Sequence, residues 1–143
     1  MLCEDIMQRD RLETIGLDEA VLVAADKMRR RNIGFLPVHD QSGVIVGTLT
    51  DRDIALRLVA EDLEAKTPVR SVMTHGVVAC RPSDDVHFAE ELMGQRHKSR
   101  VVCLDPKGRL VGILSLADLA RWETDRAGEV LRKVTEREAR TEA

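Results

Sequence analysis

Two short patterns in this chain pair a hydroxyl with a carboxylate three residues later: Thr50-Asp-Arg-Asp53 and Ser115-Leu-Ala-Asp118. At the start of a helix that spacing supports two kinds of chemistry. Turned inward, the hydroxyl and carboxylate satisfy orphan backbone N–H groups of their own helix, a capping box worth about 1 kcal/mol per cap. Turned outward, the carboxylate accepts two O–H hydrogen bonds at once, as a vicinal diol offers. The hydroxyl then lies where free N–H groups and the helix dipole favour a phosphate. Other reactive side chains form no such pattern. Cys3, Cys80 and Cys103 are odd in number and lack C-x-x-C spacing, and Cys80 and Cys103 fall in apolar runs that read as small buried hydrophobes. His39, His75, His87 and His97 are scattered with no H-x-x-x-H pair, so no metal site is expected. With no nucleophile–base pairing and no G-x-G-x-x-G loop, no enzyme is expected either.

The elements that must position these pairs come from an internal repeat. Residues 21–55 match residues 86–120 at an offset of 65 with eleven identities and no gap, among them Met28/Met93, Asp40/Asp105, Gly43/Gly108, Gly47/Gly112 and Asp53/Asp118. Upstream, Ile6-Met7 matches Val72-Met73 at an offset of 66. Two tandem copies account for this, whereas a solenoid needs at least about three. Periodicity predicts the same elements in each copy. Leu12–Ile15 and Val77–Cys80 are short β-like stretches. Asp18 and Ser83 are candidate N-caps for helices carrying Val21, Ala24, Ala25 and Met28, and Val86, Ala89, Leu92 and Met93. Strand-like runs Gly34–Val38 and Arg100–Leu104 follow. Then come Asp40-Gln-Ser-Gly43 and Asp105-Pro-Lys-Gly108, with the residue types of a type I turn. Strands over 44–50 and 110–115 lead into a second helix. Each copy therefore reads β-α-β-β-α.

Composition bounds the function classes. The 143 residues are 43% apolar but only 2% aromatic, so the core is aliphatic and an aromatic stacking platform for single-stranded nucleic acid is excluded. A net charge of −3 argues against gripping a phosphate backbone by bulk charge, and Arg29-Arg-Arg31 reads as a solvated helix end. The longest apolar run, Ala20–Ala25, is too short for a membrane span, and the first residues lack a signal-peptide pattern. The expectation is a soluble, cytoplasmic protein with no nucleic-acid or membrane partner. The division expected along the chain is 1–62 for the first repeat, 63–122 for the second, and 123–143 for a polar, protruding helix and tail. In that tail Glu129/Lys133 and Arg132/Glu136 are i,i+4 pairs and Arg140–Ala143 is expected to fray.

Two copies of β-α-β-β-α, each ending in Gly-x-Leu-[Thr/Ser]-x-x-Asp, resemble a tandem pair of CBS domains, the Bateman module. The matching segments are Ile6-Met7, Ile33–Val38 and Gly47–Ile54, then Val72-Met73, Ser99–Cys103 and Gly112–Leu119. The resemblance covers about residues 3–122. It implies an α+β fold of two tandem repeats packed with pseudo-twofold symmetry. It also implies a stand-alone, non-enzymatic regulatory module that binds an adenosine-containing ligand (AMP, ADP, ATP or S-adenosylmethionine) in clefts between the repeats. The family's ribose-phosphate motif maps onto Thr50/Asp53 and Ser115/Asp118. An adenine slot maps by position near Thr14, Ile15, Val78 and Cys80, with Ile33, Gly34, Phe35 and Pro37. Arg100, beside Lys98 and Ser99, matches the family's basic residue ahead of the second strand, and Arg52 is a second phosphate candidate. Phe35 stands where the second copy has Arg100, so the two sites are chemically unequal. Gly47 and Gly112 admit two roles, close backbone approach to a ligand or strand packing.

The expected output is energy sensing through an unidentified regulated protein. The alternative is a constitutive dimeric interaction module whose caps are only caps. In both readings a homodimer is expected. The apolar residues of the first helices, Ala20–Ala25 and Val86, Phe88, Ala89 and Leu92, exceed what one sheet face covers. The interface would include Val23, Phe88 and Leu92, and the helix after Trp122 would add contact.

Overall fold

The repeat is visible in the computed structural model, which describes residues 1–122 and 128–136. In chain order the elements begin with α1 (Cys3–Ile6), β1 (Ile15–Gly16), α2 (Val21–Arg31), β2 (Phe35–His39), β3 (Ile45–Thr50) and α3 (Asp51–Ile54). A π-helical turn over Ala55–Val59 extends α3, and a 3-10 turn spans Val69–Ser71. Then follow β4 (Thr74–His75), β5 (Ala79–Cys80), α4 (Val86–Arg96), β6 (Arg100–Leu104), β7 (Leu110–Ser115) and α5 (Leu116–Trp122), with residues 128–136 helical again. The α+β class and the tandem β-α-β-β-α order are as expected.

The first helices start two residues later than the Asp18 and Ser83 caps would place them. A turn comes first in each copy: the Gly16 N–H donates to Glu19 Oε2 at 2.7 Å, and the Arg81 N–H to Asp84 Oδ2 at 2.7 Å. The orphan donors at the start of α2 go to backbone of the connector, Val21 N–H to the Thr67 carbonyl and Leu22 N–H to the Ala65 carbonyl. Asp85, not Ser83, caps α4 through the His87 N–H. Asp18 is paired with Arg70 instead. Both helices end on a left-handed residue, Asn32 and His97, each with φ 53°.

The hairpins follow the predicted turn chemistry. Asp40 Oδ1 accepts the N–H groups of Ser42 and Val44, and Asp105 Oδ1 those of Lys107 and Arg109. Gly43 and Gly108 occupy φ 84° and 80°, where a side chain would strain the turn. Each hairpin carries a bulge at the same place, after Val38 and after Cys103.

The compact units do not follow the expected boundary at 62/63. One comprises Glu13–Val77; the other comprises Met1–Leu12 together with the described residues from Val78 onward. In the first, the sheet runs β1-β2-β3-β4, so the connector supplies its last strand. Its core is Ile15, Val21, Ala24, Met28, Leu36, Val38, Leu49, Leu58, Val69, Val72 and Met73. In the second, the sheet runs β5-β6-β7, and the N-terminal segment takes the place of a fourth strand through the Gln8–Ile113 bridge. Its core contains Cys3 and Met7 as well as Val86, Ala89, Met93, Val101, Leu114 and Leu119. The physical reason is apolar burial. Met7 and Met73 each cap the sheet of the unit they join, and neither sheet would be closed without them.

The C-terminal helix does not protrude. Val130 is buried in the second core, His97 Nδ1 lies 2.8 Å from the Lys133 carbonyl, and a Cβ on Gly94 would meet Lys133 Cδ at 3.0 Å. The expected pairs Glu129–Lys133 and Arg132–Glu136 are present at 3.9 and 3.2 Å. The expected fraying at 140–143 lies outside the described residues. The cysteines are buried and free, with Cys80 and Cys103 directly opposite on parallel strands and their sulfurs 3.0 Å apart.

Candidate functional site

Strand register assembles the predicted residues into two like constellations, one in each unit. In the Glu13–Val77 unit, Phe35 at the start of β2 pairs directly with Thr50 at the end of β3. In the other unit, Arg100 pairs directly with Ser115 in the same way. The backbone then turns into the following helix, with the Asp51 N–H donating to the Gly34 carbonyl at 3.1 Å and the Leu116 N–H to the Ser99 carbonyl at 2.8 Å. A hydroxyl, a carboxylate, a helix start and the first residue of the neighbouring strand thus converge in each unit. Of the two strand-start residues, Arg100, opposite Ser115, is basic and Phe35 is not, while Arg52 in the first turn of α3 has Ala117 as its counterpart.

Both capping boxes are formed. The Asp53 N–H donates to Thr50 Oγ1 at 3.1 Å, and the Thr50 N–H donates to Asp53 Oδ2 at 3.0 Å. The Asp118 N–H donates to Ser115 Oγ at 3.2 Å, and the Ser115 N–H donates to Asp118 Oδ2 at 2.8 Å. The capping role is therefore occupied, yet each carboxylate retains lone pairs beyond the single one its box uses. Capping and ligand contact are compatible on the same side chain.

The remaining predicted residues divide by exposure. Arg52, Lys98, Ser99 and Arg100 are exposed, and Thr14, Gly34, Phe35 and Val78 are half-buried. Ile33 is exposed, while Ile15 and Pro37 are buried. The Thr14 carbonyl accepts from Lys27 Nζ at 2.8 Å, so this backbone acceptor is used within its own unit. Cys80 turns its thiol into the core. Its pKa is pushed up to about 12, chiefly by the hydrogen bond with Cys103, while the bond with Cys3 opposes the shift and burial adds to it. Cys80 can offer a ligand its backbone but not its sulfur.

Gly47 and Gly112 serve strand packing. A Cβ on Gly47 would meet Met73 Cε and the Thr74 carbonyl oxygen at 2.4 Å, and one on Gly112 would meet Met7 Sδ at 2.4 Å. The protein's own segments fill the space a ligand would need there.

Two residues outside the predicted set touch Asp53. Thr74 Oγ1 donates towards Oδ1 and Oδ2 at 3.3 and 3.4 Å, and Arg57 Nη1 stands 3.9 Å from Oδ1. The signal available for Thr74 was its place directly after the Ile6-Met7/Val72-Met73 match, a place held by Gln8 in the other copy. Among the described residues, no group of three or more His, Cys, Asp or Glu side chains is arranged to hold a metal ion, and no helix is long and apolar enough to cross a membrane.

Comparison with known proteins agrees with this architecture. The family model described as "CBS domain" matches residues 3–60 and again 69–137. A CBS domain-containing protein of Bacillus subtilis, YhcV, is 37% identical over 124 residues, covering 85% of this chain and 87% of its own. Among solved structures, the conserved CBS domain protein TA0289 of Thermoplasma acidophilum superposes with a TM-score of 0.81 at 27% identity, over 93% of this chain and 75% of that one. The CBS domain pair of protein MJ0100, solved in complex with 5′-methylthioadenosine and S-adenosyl-L-methionine, gives a TM-score of 0.74 at 26% identity, over 88% and 98%.

Proposed function

The chain belongs to the CBS-domain family, and from that premise we propose that it is a non-enzymatic regulatory module whose ligand is an adenosine-containing compound of the AMP, ADP, ATP or S-adenosylmethionine class. The observation that carries this reading is the twice-built pairing of hydroxyl and carboxylate at the end of a hairpin strand. In both units the carboxylate is anchored by a backbone N–H of its own capping box and keeps acceptor capacity for a ribose diol. Anchoring matters because a carboxylate held in one geometry loses less entropy on binding than a mobile one. Arg100, across the strand pair from Ser115, adds a cation suited to phosphate or carboxylate on the ligand. The adenosyl ligands in the complex of the MJ0100 domain pair support the same class.

The alternative, a constitutive interaction module, is favoured by a different observation. Leu22 and Val23 on α2 and Phe88 on α4 stay between 40% and 61% exposed after each unit has closed its own core. They support the homodimer as well, so the two readings differ over the ligand alone. Leu92, expected at the interface, is half-buried against its own core. Thermal shift with AMP, ADP, ATP, S-adenosylmethionine and adenosine separates the readings. A site filled to about 100 times its Kd adds about 2.7 kcal/mol, or about 5–11 °C for a chain of this size. No shift with any of these at millimolar concentration establishes the interaction module instead.

A further inference from the structure

The two carboxylates are not equally available. Thr74 Oγ1 is nearly equidistant from the two oxygens of Asp53, at 3.3 and 3.4 Å. A hydroxyl so placed spans both oxygens, and a vicinal diol would compete with it for them. The segment carrying it is fastened on both sides. Thr74 pairs with Thr48 in the β3–β4 ladder, and Arg57 Nη1 donates to the Val72 and Met73 carbonyls at 3.3 and 2.8 Å. The same guanidinium stands 3.9 Å from Asp53 Oδ1.

The other carboxylate is held differently. The counterpart of Thr74 is Gln8, whose side-chain amide donates to the Asp10 carbonyl at 3.4 Å, and the counterpart of Arg57 is Trp122. Asp118 Oδ2 accepts the N–H and the hydroxyl of Ser115, each at 2.8 Å. Oδ1 accepts no hydrogen bond among the described residues; its nearest cation, Arg121 Nη1, lies 3.7 Å away on a side chain 74% exposed. The internal hydroxyl on Asp53 is shared between both oxygens, whereas Asp118 gathers its bonds on Oδ2 and leaves Oδ1 open.

We propose that Asp118 is the primary acceptor of the ligand's ribose diol and that Thr74 is an internal competitor for Asp53, so that a nucleoside reaches Asp53 only by displacing the Thr74 hydroxyl. This rests on the adenosine-ligand reading above and assigns the stronger of its two sites. The register agrees, since Arg100 stands opposite Ser115 and the uncharged Phe35 opposite Thr50.

The test is calorimetric titration of the full chain with adenosine, which has the diol and no phosphate. Asp118→Asn weakens binding about tenfold more than Asp53→Asn does. In the Asp118→Asn chain, adding Thr74→Val tightens the residual binding by about threefold, less than the weight of a full hydrogen bond to a charged acceptor because both contacts are long. Adding Asp53→Asn to that double variant removes the gain. A structural role for Thr74 alone would make Thr74→Val weaken binding, not strengthen it. Equal losses from the two Asp→Asn variants, or no gain from Thr74→Val, overturn the inference while leaving the nucleoside reading in place. No adenosine binding by the wild type or by the Thr74→Val chain overturns both.

Discussion

Gly47→Ala and Gly112→Ala are the same substitution at equivalent positions of the repeat, and the structure predicts unequal costs. Neither glycine has a positive φ, so the methyl itself is tolerated by the backbone and restricts the unfolded chain, a gain of about 0.4–1 kcal/mol. The opposing term is contact. At Gly112 the three nearest atoms to the new Cβ all belong to the Met7 side chain, Sδ at 2.4 Å, Cγ at 2.8 Å and Cε at 3.1 Å. Methionine is long and adaptable, so it swings aside and forfeits part of its burial, about 1–2 kcal/mol. At Gly47 the Cβ would meet Met73 Cε at 2.4 Å and also the Thr74 carbonyl oxygen at 2.4 Å. A carbonyl cannot swing aside; β4 has to move. That strains its pairing with β3 and the Gly76 N–H bond to the Val46 carbonyl, adding about 0.5–1.5 kcal/mol for each hydrogen bond lost. The net expectation is about 2–3 kcal/mol for Gly47→Ala and about 1 kcal/mol or less for Gly112→Ala. Urea denaturation gives both values, and hydrogen exchange at Gly76 reports β4 directly. Equal losses, or unchanged protection of Gly76 in Gly47→Ala, refute the role given to the carbonyl contact.

Thr50→Val and Ser115→Ala should each cost about 1 kcal/mol in chemical denaturation through the lost cap, and should weaken AMP more than adenosine; a loss of stability with no change in either affinity would reduce the motifs to caps. Alkaline stability should fall from about pH 9 upward. The Cys80 thiol rises from 9.0 to about 12 on folding, through its bond with Cys103 first and burial besides. The folded state therefore holds the proton more tightly, and stability is full below pH 9 and drains toward pH 12 at up to about 1.4 kcal/mol per pH unit. Denaturation midpoints at pH 8, 9 and 10 for wild type and Cys80→Ala test this, and a flat wild-type profile contradicts it. Val23→Glu or Phe88→Glu should convert a species sedimenting at twice the 16.0 kDa chain mass into one at that mass, and a wild type already monomeric at micromolar concentration removes the dimer.

Much of the fold could be read from the sequence because its cues are local. Asp40 and Asp105 reach two N–H groups each within four residues, so residue type at fixed spacing was enough to find the hairpins. The hydroxyl–carboxylate pairs formed as capping boxes for the same reason. Helix starts were missed where the donors are satisfied from afar. The Val21 N–H goes to Thr67, and the Val86 N–H goes to the Met1 carbonyl; no pattern around Asp18 or Ser83 announces partners more than forty residues away.

The unit boundaries were hidden by a related effect. Repetition marks where a sequence was copied, whereas packing decides where each copy closes, and here the two differ by the length of one connector. Ile6-Met7 and Val72-Met73 match each other in the alignment, and their counterpart methionines cover Gly112 and Gly47 respectively. Each segment thus lies on a hairpin it does not adjoin in its own copy as the sequence orders it. That displacement bears on the site. It brings Thr74 to Asp53 across 21 residues and Gln8 to the Ile113 strand across more than a hundred. A contact of that range is free to differ between copies, because no local rule of capping or turn formation constrains its residue type. The capping boxes had to stay alike for both helices to start; the residues facing them did not, and the two carboxylates diverged in availability through those facing segments.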